Sequence, residues 1–97
     1  MKKLIRDKYV TEIDSNRLTT LSTDSNVYRG FLLDKLYEEI EELADTDWRD
    51  VEEYADVYEV FMKIMEIHGV TQQQVIDAQV TKRILKGGFD TGLLLDY

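Results

Sequence analysis

Cysteine is absent from this 97-residue chain and histidine occurs once. Without thiols there are no disulfides and no thiolate ligands, and one histidine excludes a histidine-rich zinc cluster within a chain, so any metal must be held by oxygen. Long apolar runs are missing too, and none approaches the length of a membrane-spanning helix. The basic start, Met1 to Lys8, leads into polar Thr11 to Ser25 rather than an apolar signal core, so a cytoplasmic location is expected. Base is scarce: 12 Lys and Arg stand against 20 Asp and Glu, for a formal charge of −8. That balance argues against a binder of nucleic-acid polymers, whose affinity comes from neutralising phosphates.

What base there is sits at the ends. Lys2, Lys3, Arg6 and Lys8 crowd the start, Lys82, Arg83 and Lys86 lie near the end, and the middle is strongly acidic. Such a division suits a small anionic ligand with a metal counter-ion, as well as an ordinary solvated surface. The length fits one domain near the lower limit for a core without covalent staples.

Periodicity predicts an all-α protein. Met1 to Asn26 shows no sustained helical repeat and reads as a short extended arm, with Leu4-Ile5, Tyr9-Val10 and Ile13, followed by a polar loop. A first helix is expected over about 28–44, with Leu32, Leu33, Leu36, Ile40 and Leu43 on its apolar stripe. A second should begin near Trp48 to Val51, capped from Asp47 or Asp50, and run to His68, with Gly69 as a stop. Its apolar face carries Tyr54, Val57, Tyr58, Phe61, Ile64 and Met65; Tyr37, Tyr54, Tyr58 and Phe61 are expected to be mostly core. Thr71 three residues before Gln74 signals a third helix, through Lys86, which Gly87-Gly88 ends. Phe89 to Tyr97 is left as a tail. Three helices with short turns suggest an antiparallel bundle, and their broad stripes suggest homo-oligomerisation to complete it.

Acidic residues are concentrated from Asp34 to Glu59. Glu39 and Glu42 on one expected helix, and Glu53 and Asp56 on the next, are each three apart, so each pair shares one side of its helix and can converge on an ion. Glu39 falls beside Leu32 and Leu43, and Glu53 among Val57, Val60 and Ile64. A carboxylate on a packing face is costly unless a cation answers it. Four such acids can surround a hard ion such as magnesium. The competing account makes them helix-favouring surface acids, with Glu53 reaching back to cap its own helix.

The run Lys35-Leu36-Tyr37-Glu38-Glu39-Ile40-Glu41-Glu42, followed by Glu53-Tyr54-Ala55-Asp56-Val57, resembles the EExxE and ExxD signature of MazG-type all-α nucleoside triphosphate pyrophosphohydrolases. Lys3 to Lys8 and Lys86-Gly87-Gly88-Phe89 resemble its phosphoribosyl-ATP pyrophosphohydrolase-like subgroup. The resemblance implies a helical homodimer or dimer of dimers binding Mg2+ through Glu39, Glu42, Glu53 and Asp56, with Glu38 in support. It further implies hydrolysis of the α–β phosphate linkage of a nucleotide, releasing pyrophosphate and a monophosphate. Glu38 or Glu39 is the candidate proton acceptor. Lys82, Arg83 and Lys86 are candidates for meeting phosphate, and Arg6 and Lys8 either do so or pin the arm by ion pairs to the acidic core. Trp48, Tyr28 or Phe89 could touch a base. His68 reads as a helix-terminal cap.

Two features depart from that pattern. Ten residues separate Glu42 from Glu53, which demands a tight turn, and Tyr9-Val10 stands where Ile-Pro is common, in a chain with no proline. The alternatives are a phosphoribosyl-ATP hydrolase of histidine biosynthesis and a non-catalytic helical protein that presents its acids to a basic partner.

Overall fold

The computed structural model describes residues 2–97, apart from the side chain of Glu12. Met1, the first residue of the expected arm, lies outside the described residues. Three helices make up the fold: α1 (Asn26–Asp45), α2 (Val51–Ile67) and α3 (Gln72–Lys86). They follow 3-10 turns at Asp7–Glu12 and Ser15–Arg17, and there is no strand among the described residues. The protein is all-α, as its periodicity predicts. Two compact units can be distinguished, one ending at Ile64 and the other Met65–Tyr97.

In the first unit the arm is extended at Arg6 and at Ile13, as expected, but between them Asp7–Glu12, with Tyr9 and Val10, coils into a 3-10 turn. With no strand to pair with, its backbone satisfies itself locally: Tyr9 N–H donates to the Arg6 carbonyl at 3.0 Å and Ile13 N–H to that of Val10 at 3.3 Å. Helix α1 starts two residues before the expected position, because the Ser25 hydroxyl accepts from Tyr28 N–H at 3.1 Å and so caps it. Its buried residues are Leu32, Glu39 and Leu43, at i, i+7 and i+11 on one face.

The turn after α1 is built without glycine. Asp47 N–H donates to Ala44 and Trp48 N–H to Leu43, which is the Schellman pattern of helix termination, with Asp47 in the left-handed region at φ 57°. Trp48 is left-handed as well, at φ 61°. Asp50 then opens α2, its carboxylate accepting from Glu52 N–H at 2.9 Å. Thr46 ties the turn together: its hydroxyl donates to the Leu43 carbonyl at 2.7 Å and accepts from Asp50 N–H at 3.3 Å.

On α2, Val57, Val60 and Ile64 are partly buried. Tyr54, Tyr58 and Phe61 are each more than two-fifths exposed, and Tyr37 on α1 is 61% exposed, so these aromatics do not form the expected core within the chain.

In the second unit α2 ends on another Schellman arrangement, here with Gly69 left-handed at φ 72° and Val70 N–H bonded to Met65. The predicted capping box forms in full: Thr71 Oγ1 accepts from Gln74 N–H at 3.1 Å and Gln74 Oε1 from Thr71 N–H at 2.9 Å. Every residue of α3 is exposed, with Ile84 and Leu85 at 77%. Among the described residues no helix is long and apolar enough to cross a membrane.

Candidate metal centre

The turn at Thr46–Asp50 reverses the chain and sets the start of α2 beside the second half of α1. As a result, one carboxylate oxygen from each of Glu39, Glu53 and Asp56 lies within 4.8 Å of the others. Glu39 is the most enclosed of the three, 7% exposed on the leucine face of α1, while Glu53 and Asp56 are half-buried. At such separations like charges repel one another unless a cation answers them.

The compensation is incomplete. Lys35 Nζ approaches Glu39 Oε1 at 3.4 Å, but Glu39 Oε2 and Glu53 Oε2 are buried with no hydrogen-bond partner. Burial, reinforced by the charge of Glu42, pushes the Glu39 carboxyl above the ordinary glutamate value against the pull of Lys35. Glu53 is raised as well, by desolvation first and then by Asp56 and Glu39. The capping account of Glu53 finds no support, because the Asp50 N–H it would accept from is bonded to Thr46. Clustered carboxylates, two of which each carry a buried oxygen without a hydrogen-bond partner, form a donor set suited to a hard divalent cation.

Of the other expected ligands, Glu42 is exposed and stands outside this group of three. Glu38 faces base instead, with Lys3 at 3.2 Å on one oxygen and Lys35 at 3.3 Å on the other. Burial alone would raise its carboxyl, but the hydrogen bond from Lys3 and the charge of Lys35 outweigh that and hold it below the usual range. Arg6 reaches Asp56, its guanidinium 2.6 Å from Oδ1. The ion-pair role left open for Arg6 is thus present in the structure. Lys8 is exposed on the 3-10 turn, and Lys82, Arg83 and Lys86 are exposed on α3 in the second unit.

The pairing of Lys3 and Lys35 with Glu38 and Glu39 is not among the sequence expectations. Lys35 was legible, since it stands three and four residues before Glu38 and Glu39, within reach on one helix face. Nothing local signals the contact of Lys3 with Glu38, 35 residues away.

Comparison with known protein families, with curated proteins and with solved structures returns no match. The class of the centre therefore rests on its own residues, three carboxylates from two consecutive helices with basic side chains around them.

Proposed function

We propose that this protein is a magnesium-dependent nucleotide pyrophosphohydrolase. On this proposal it cleaves the α–β linkage of a nucleoside triphosphate or related nucleotide and releases pyrophosphate and a monophosphate. One observation carries the cation site: the buried, unpartnered Glu39 Oε2 in a cluster with Glu53 and Asp56. The phosphate chemistry rests on the resemblance of the EExxE and ExxD runs. Glu39, Glu53 and Asp56 would hold the ion, with Glu42 one turn along α1 from Glu39. A divalent cation there would neutralise phosphate oxygens and acidify water beside it.

The chain's own groups divide the remaining work. Water adds to one phosphorus of the α–β bridge, the bridging P–O bond breaks with its electron pair on the departing phosphate group, and the water proton passes to a carboxylate. Glu39 suits that acceptor role better than Glu38, which two lysines already hold as an anion.

A homodimer or dimer of dimers belongs to the same proposal. Only Leu32, Leu43 and Met65 are buried apolar residues among those described, while Ile84, Leu85, Leu93 and Leu94 are exposed by three-quarters or more. A second copy would cover such apolar surface.

The test is a nucleotide panel, including phosphoribosyl-ATP, assayed with and without Mg2+ for monophosphate and pyrophosphate. Turnover should require Mg2+ and fall at least about a hundredfold in Glu53→Gln with helical circular dichroism unchanged. Full activity in that variant would contradict the assignment. Absence of turnover on every nucleotide would favour the non-catalytic alternative.

A further inference from the structure

The arm spans both acid-bearing helices. Lys3 pairs with Glu38 on α1, and three residues later Arg6 pairs with Asp56 on α2. Between these pairs Leu4 and Ile5 are half-buried, and the 3-10 turn that follows anchors the Arg6 carbonyl through Tyr9 N–H. Arg6 therefore puts its charge on a carboxylate of the same cluster in which Glu39 Oε2 and Glu53 Oε2 lack hydrogen-bond partners.

Both bridging cations are well exposed, Lys3 with 58% and Arg6 with 61% of its side chain in solvent. Exposed ion pairs contribute little to stability. Such a contact can hold a short arm and still yield to a stronger competitor for the same oxygen. A guanidinium hydrogen-bonded to Asp56 Oδ1 and a divalent cation bound to that oxygen are competitors by charge and by space.

On the basis of the cation site proposed above, we propose that Arg6 is the built-in counter-ion of the centre and the arm a strap that a divalent cation opens. In the cation-free protein the guanidinium offsets part of the carboxylate repulsion and closes the arm over α1 and α2. Cation binding replaces it at Asp56, and the first residues of the arm come away with Arg6. The released guanidinium is then available to an anion that arrives with the cation. Arg6 acts on the site through Asp56, as a positioning residue, and cation occupancy and arm order are coupled in both directions.

Titration of the 15N-labelled full chain with Mg2+ tests this by NMR, reading affinity from amide shifts around Glu39, Glu53 and Asp56 and arm order from the heteronuclear NOE of residues 2–9. Wild type should bind Mg2+ and lose arm NOE as the site fills. Arg6→Gln should show a loose arm before any Mg2+ is added and bind Mg2+ about fivefold more tightly, the counterpart of an exposed pair near the upper end of its range. Lys2→Gln removes the same charge and should match wild type. Mg2+ binding with an unchanged arm and an unchanged affinity in Arg6→Gln would overturn the strap and leave the cation site standing. Binding by neither protein would overturn both.

Discussion

Glu39 is the residue on which the account turns. Stability alone would place an apolar side chain between Leu32 and Leu43, yet a carboxylate stands there with one oxygen unpartnered. Glu39→Gln should therefore stabilise the cation-free protein, by on the order of 1 kcal/mol at neutral pH, while weakening Mg2+ binding. The gain has a defined pH dependence. The folded protein raises the Glu39 carboxyl above its unfolded value, so the native state binds that proton more tightly. The cost of the ionised form is absent below the ordinary glutamate range. It grows as pH rises through the raised value and is constant above it. Urea unfolding of wild type and Glu39→Gln across the acid range should show two curves that converge at low pH and separate as pH rises. Parallel curves would mean that Glu39 is not desolvated.

At the scale of elements, the turn between α1 and α2 decides whether the acids meet. It holds two consecutive left-handed residues, Asp47 and Trp48, neither of them glycine. Asp47→Gly should relieve one of these and raise stability by about 1 kcal/mol, seen as a higher urea midpoint with an unchanged slope. At α3 the cap is the vulnerable point: Thr71→Ala removes the oxygen that accepts from Gln74 N–H and should cost about 1 kcal/mol, with a loss of helical signal from residues 72–75.

These elements also mark what the sequence could reveal. The helices were legible because apolar spacing, the Thr71–Gln74 pair and Gly69 all point the same way. The start of α1 is hard to read because its signal is a single serine, Ser25, ahead of residues with no apolar repeat. The tight turn was required by the spacing of Glu42 and Glu53, but its left-handed pair at Asp47 and Trp48 carries no glycine to announce it. In the site, the enclosure of Glu39 followed from its register with Leu32 and Leu43. The Arg6–Asp56 contact links residues 50 apart, for which helical period supplies no register, so the sequence leaves ion pair and phosphate contact as equal options.

At the scale of the whole molecule, a charge of −8 and abundant exposed apolar surface pull in opposite directions. Like charge keeps copies apart, while uncovered Ile84, Leu85 and the Leu93–Leu95 run favour burial against another chain. Sedimentation equilibrium should give a mass at least twice that of one chain, and Ile84→Asp should lower it. A monomer at high protein concentration would remove the oligomer from the proposal while leaving the metal centre untouched, since Glu39, Glu53 and Asp56 belong to one chain.

Anomalous diffraction from a crystal of the protein soaked in Mn2+, a stand-in for Mg2+ with similar oxygen preference, would locate the ion itself. A strong peak is expected among the carboxylates of Glu39, Glu53 and Asp56, with the Arg6 guanidinium displaced from Asp56. No peak at this cluster, with Arg6 still on Asp56 and Glu39 Oε2 still unpartnered, would contradict it.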